Sequence, residues 1–219
     1  MFDFIKIRQV PKTSWSSEET LNFKPRLKTL TALVLGLVLF GFGEALLVAS
    51  QIGVSPWTAL GQGLSNVLGL GLGLTTFLIS IVVLFLWIPL KQKPGIGTFL
   101  NAIIISLVLH YAIPFLPIFE ENMFRLGQAI LGVFITGIGG GIYLIANLGP
   151  GARDGLMTGL QRVTNFPIAW VRSCIEISVL TIGWWFGGVI GLGTIIFALG
   201  IGPCLAISLT IFGTRKSKR

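Results

Sequence analysis

Charge is what this sequence has least of. Only 11% of its 219 residues are Asp, Glu, Lys or Arg, with eight acids against sixteen bases. Soluble domains carry about a quarter, so a soluble globular chain is excluded. Histidine occurs once, at His110, and cysteine twice, at Cys174 and Cys204, with no CxxC or Cys/His spacing. That excludes a zinc or redox-metal site of the usual kind. Both thiols fall inside apolar runs and are expected to be buried and inert. There is no HExxH, no Walker-type phosphate loop and no serine beside a usable histidine. No enzyme activity, catalytic residue, cofactor or metal is therefore expected.

A cleavable leader is not expected either, because residues 1–28 mix charges and hold no sustained apolar stretch. They read as a cytoplasmic lead-in. Phe2, Phe4, Ile5 and Ile7 are placed to dip into the headgroup region, and SSEETL to start a short surface helix. The net charge of +8 does not point to nucleic acid. The bases sit at the ends of apolar runs, with no basic stripe interleaved with aromatics.

What the chain has in abundance is hydrocarbon: 53% apolar residues and a mean hydropathy of +0.87. Six segments are long enough to cross a bilayer, at 29–50, 72–90, 97–118, 126–147, 168–188 and 192–213. With the N-terminus in the cytoplasm, every Lys and Arg except Arg125 falls on the inner side, including the basic tail at 214–219. This is the asymmetry that fixes membrane orientation. Two further helix-compatible segments, 55–68 and 151–163, are too short to cross.

Sliding the chain against itself by 96 residues superposes those two segments and much else. Gly36, Gly41, Gly43 and Gly53 fall on Gly132, Gly137, Gly139 and Gly149, and GIGT at 95–98 meets GLGT at 191–194. Each half (about 29–118 and 126–213) holds three spans and one short helix after the first of them. Three crossings per half is odd, so the second half runs upside down. The expected fold is thus an all-α integral membrane domain of six transmembrane helices in two inverted repeats, an architecture common in secondary transporters. Close helix packing accounts for Gly36, Gly41, Gly137 and Gly141 without any function.

The polar residues that enter this apolar body are few. The stretch GPGARDGLMTGL (149–160) offers glycines, an exposed helix N-terminus and the guanidinium of Arg153, a combination suited to a small anion. Candidate binding residues are Arg153, Asp154, Gly151 and Gly155, with Ser55 and Trp57 from the matching stretch. The alternative is that Arg153 anchors to lipid phosphate while Asp154 satisfies its own helix's first turn. Glu44 and Glu176 lie within spans and are candidates for proton or ion coupling, or else hydrogen-bonded packing residues. Arg172 precedes Glu176 by four residues and shares its helix face. Asn101, Asn147 and Gln51 read as interhelical glue.

At GVSPWTALGQGL (53–64) and GPGARDGLMTGL (149–160) the chain resembles the YczE/YyaS/YitT family of bacterial integral membrane proteins. The resemblance runs from about 30 to 213, and the motif positions carried over are Ser55, Pro56, Trp57, Arg153, Asp154 and Gly155. It implies a multi-pass protein of the bacterial cytoplasmic membrane and leaves the activity undefined. The residues favour a secondary transporter for a small anionic solute. A non-transporting scaffold, acting through a second copy or another membrane protein, is the competing expectation.

Overall fold

The computed structural model describes residues 10–213. Eight α-helices follow one another: α1 (Leu27–Ser50), α2 (Pro56–Leu68), α3 (Leu72–Trp87), α4 (Ile96–Ala112), α5 (Asn122–Ala146), α6 (Ala152–Thr164), α7 (Ile168–Trp185) and α8 (Leu192–Gly213). A single 3-10 turn, Ile113–Phe115, extends α4, and no strand occurs among the described residues. α1, α4 with its 3-10 turn, α5 and α8 are long and apolar enough to cross a membrane. A fifth span results if α2 and α3, bent by 110° at their junction, count as one. This many such helices in one chain makes a multi-pass membrane protein. α3 stops at Trp87, short of the expected 90, and α7 is diluted by Arg172 and Glu176, so neither qualifies on its own.

The α1–α5 pair forms the centre. An added Cβ at Gly36 or Gly132 would sit 2.7 Å from the backbone of the opposite helix, so the glycines set how closely the two approach. Gly41 plays the same part against Val108 of α4, as do Gly137 and Gly141 against Cys204 and Ser208 of α8. The close-packing reading of these glycines holds.

The 96-residue register recurs in the helices themselves. α2 and α6 cover 56–68 and 152–164, while α1 and α5 end at Ser50 and Ala146. Both of the latter stop at a left-handed residue, Gln51 (φ 58°) and Asn147 (φ 54°). Each chain end then docks on the other half: Gly193 N–H donates to Ile52 O (2.8 Å), and Gly97 N–H donates to Leu148 O (2.7 Å). These reciprocal bonds give the repeated GxGT stretches their structural role. Gly53 has φ 122°, and a Cβ there would lie 2.7 Å from Gly191 N. Gly53→Ala is expected to lower stability by roughly 2–4 kcal/mol, from strain of about 1–3 kcal/mol plus the clash. Gly69→Ala, at φ 67° with open space around it, is the matched control and should lose only about 1 kcal/mol in a melting comparison.

Two expectations need correction. Residues 10–26 form turns rather than a helix at SSEETL. The segment has too little apolar periodicity to pack a helix, and is tied down through its backbone instead: Thr29 Oγ1 donates to Trp15 O (2.6 Å) and Asn147 Nδ2 to Ser17 O (2.8 Å). Cys174 is exposed and Cys204 only partly covered, because α7 and α8 turn much of their surface outward. Phe2, Phe4, Ile5, Ile7 and the basic tail lie outside the described residues.

The two halves differ in one respect. α3 lies along α4, with Gly73 seated on Ser106 and His110, whereas α7 makes at most marginal contact with α8. α7 instead lies on α2, where Gly183 brings its backbone against Ala59 and Leu60. The residue 96 positions before Gly183 is Trp87, whose indole fills the space between α3 and α6.

Candidate functional site

α2 and α6 start in similar ways. Ser55 caps α2, its Oγ accepting from Thr58 N–H at 3.4 Å, with Pro56 preset for the first helical position. α6 follows Gly151 and carries Asp154 in its first turn. The two N-terminal turns meet at a cavity of about 250 Å³, where Ser55, Trp57, Gly151, Arg153 and Asp154 all form wall. α7 adds Arg172 and Glu176, α5 adds Tyr143, and α4 adds Asn101. Residues 96 apart line it together, among them Trp57 and Arg153, Phe40 and Thr136, and Ile105 and Ile201. The cavity therefore sits between the two halves.

Most of its charged groups are engaged. Tyr143 donates its hydroxyl to Asp154 Oδ2 at 2.6 Å. Arg172 Nε and Glu176 Oε1 pair at 2.9 Å along one face of α7. Arg153 is different: half-buried, it makes no hydrogen bond or ion pair among the described residues. Its guanidinium carbon lies 5.4 Å from the centre of the Trp57 ring, within cation–π range.

Glu44 is fully buried behind this wall. Its Oε2 accepts from Ser55 Oγ (2.7 Å) and Thr58 Oγ1 (2.5 Å), while Oε1 has no partner. The indole N–H of Trp57, 7% exposed, is also unpartnered. The short-helix cap thus links a buried carboxylate to the cavity through two hydroxyls.

Of the residues singled out from sequence, Ser55, Trp57, Gly151, Arg153, Asp154 and Glu176 come together, and Glu44 stands one layer back. Gly155 does not reach the cavity. Its missing side chain makes room for the ring of Trp87, whose Nε1 donates to Ala152 O at 3.0 Å. Tyr143 was not foreseen; a tyrosine deep in an apolar span, one of only two in the chain, was the available signal. Asn101, read as interhelical glue, lines the cavity instead. Among the described residues no three His, Cys, Asp or Glu side chains cluster to hold a metal.

Residues 27–210 match the family of unknown function DUF6198. The chain belongs to that family. A Haemophilus influenzae protein is 39% identical over 206 residues, 94% of each chain. The Bacillus subtilis protein named uncharacterized membrane protein YczE is 34% identical over 176 residues, covering 80% of this chain and 82% of its own. YyaS, from the same bacterium, is 26% identical over 169 residues, 74% of this chain and 83% of its own. The resemblance seen in the two glycine-rich stretches thus extends along most of the chain. No solved structure matches it.

Proposed function

We propose that this chain is a proton-coupled secondary transporter of small monoanions in the bacterial cytoplasmic membrane. In this reading it spans the membrane six times as two inverted repeats, with both termini in the cytoplasm. One observation carries the functional part: the Arg153 guanidinium faces a cavity between two helix N-termini and makes no hydrogen bond or ion pair among the described residues. A guanidinium with free donors at a cavity is a ready site for an anion. The 96-residue register of the helices and the reciprocal GxGT contacts support the repeat. The basic residues support the orientation. Trp170 and Trp184, both exposed near opposite ends of α7, suit the two interfaces of a crossing helix.

Charge balance selects the solute. Arg153 and Arg172 are met by Asp154 and Glu176, with Glu44 behind, so the site has no surplus positive charge for a dianion. A monoanion is accommodated when Glu44 takes up a proton, since that removes a buried negative charge from behind the site. Anion and proton then enter together. Glu176, paired with Arg172, is not the coupling group.

Two outcomes follow. In a thermal-shift panel of carboxylates, methanesulfonate, phosphate, sulfate, amino acids and cations, monoanions should stabilise the detergent-purified protein, by about 2.7 kcal/mol at a hundred times Kd. No shift from any anion would remove the reading. Glu44→Gln keeps an oxygen for Ser55 and Thr58 but carries no charge. Wild-type anion binding should strengthen as pH falls, and the variant's should be tight and flat with pH; an unchanged pH slope would rule Glu44 out.

A further inference from the structure

The cavity has one wall that is not closed. α7 contributes Arg172 and Glu176, and α8 contributes Phe197, Ile201 and Leu205, yet these two helices scarcely touch. In the first half the equivalent seam is sealed where Gly73 sits on Ser106. The residues 96 positions later are Ala169 and Gly202, and Gly202 has no atom within 4 Å of where a Cβ would be. The packing differs to match: Gly183 sets α7 against α2, while Trp87, at the equivalent position, seats α3 on α6 through Gly155. α8 also carries Pro203 beside Gly202, and Pro203 has no proline counterpart in α4. Proline removes an intrahelical hydrogen bond and marks a place where a helix bends.

Leu199 and Ile195 of α8 and Ile177 of α7 are 73%, 56% and 64% exposed, so both helices carry apolar surface that suits hydrocarbon. Phe197, Ile201 and Leu205 of α8 line the same cavity as Arg153, which makes no hydrogen bond or ion pair among the described residues.

We propose that the α7–α8 seam is a lateral portal, and that the solute is a single-chain amphiphilic monoanion whose headgroup meets Arg153 while its alkyl tail lies along α8 in the seam. This rests on the anion reading of Arg153 and adds the tail and the route. The headgroup carries one charge because the cavity has no surplus for two. The tail is one chain because the cavity is small.

Alkyl sulfonates test this, being permanently ionised and differing only in the tail. Binding is titrated on the full chain in nanodiscs, with empty nanodiscs subtracted, using methanesulfonate, octanesulfonate and octanol. Each methylene fully withdrawn from water is worth about a fourfold gain in affinity. Octanesulfonate should therefore bind at least ~30-fold more tightly than methanesulfonate even with its tail partly covered. Arg153→Gln should abolish both, and octanol should not compete. Gly202→Trp, placed where there is open space, should fill the seam. It should weaken octanesulfonate at least ~10-fold with methanesulfonate unchanged, as expected if only the tail contacts are lost.

Equal affinity for the two sulfonates, or equal loss of both in Gly202→Trp, would overturn the portal and leave the anion site standing. Octanol binding as well as octanesulfonate would overturn the headgroup assignment. Failure of both sulfonates to bind would overturn the anion reading itself.

Discussion

Arg153→Gln should reduce anion uptake into proteoliposomes at least about a hundredfold while the melting temperature of the unliganded protein stays close to wild type. The two halves of this result have separate causes. Hydrogen bonds to a charged group are each worth about 1.5–3 kcal/mol. Removing the one cavity-lining cation that makes no hydrogen bond or ion pair among the described residues therefore takes away on the order of 3 kcal/mol of solute binding, or about two decades. Stability responds differently because Arg153 holds nothing together. Its contact with the Trp57 ring contributes about 0.5–2 kcal/mol, and relief from desolvating a half-buried guanidinium offsets it. A purely structural arginine would give the opposite pattern, a large fall in melting temperature together with the loss of uptake. Arg172 supplies the contrast on the same cavity wall, being already paired with Glu176, so its loss leaves a carboxylate without its partner.

Trp87→Ala carries the largest expected loss of stability. The side chain is 2% exposed and packs with Val83, Leu156 and Met157. Its ring lies on Gly155, and its N–H holds Ala152 O, the first residue of α6. Large aromatic-to-alanine changes in cores lose about 3–5 kcal/mol, which for a chain of this size moves the melting temperature by on the order of 10 °C. Trp87→Phe keeps most of the packing and drops the hydrogen bond, worth about 1 kcal/mol. Because Ala152 immediately precedes Arg153, both variants should also loosen the α6 N-terminus. Residual anion stabilisation should follow the order wild type, Trp87→Phe, Trp87→Ala. An alanine variant that melts like wild type would contradict the packing described.

Much of this fold is legible in the sequence because the forces that build it are one-dimensional. Apolar runs of the right length, Ser55–Pro56 as a helix start and the glycine register all act within short windows, and α2 and α6 fall within a residue or two of 55–68 and 151–163. Convergence of the two short helices on one cavity is foreshadowed by the duplication, since a repeated element after the first span of each half has to meet its twin. Other features depend on contacts between distant segments. Gly155 looks like a partner of Arg153 in sequence and turns out to be the seat of Trp87, 68 positions earlier. Tyr143 becomes part of the site only because α5 runs past the start of α6. The sparse α7–α8 contact goes with two packing choices, Gly183 on α2 and Trp87 on α6, which no local pattern announces.

The most direct measurement is proton movement driven by a permanently ionised anion. Proteoliposomes loaded with a pH-sensitive dye receive external methanesulfonate, which cannot cross the lipid as a neutral acid. Proton-coupled uptake requires internal acidification that depends on the anion and is abolished in both Arg153→Gln and Glu44→Gln. Binding of the anion with no acidification above that of protein-free liposomes would contradict it, and would make the cavity a receptor site in a membrane protein that does not transport.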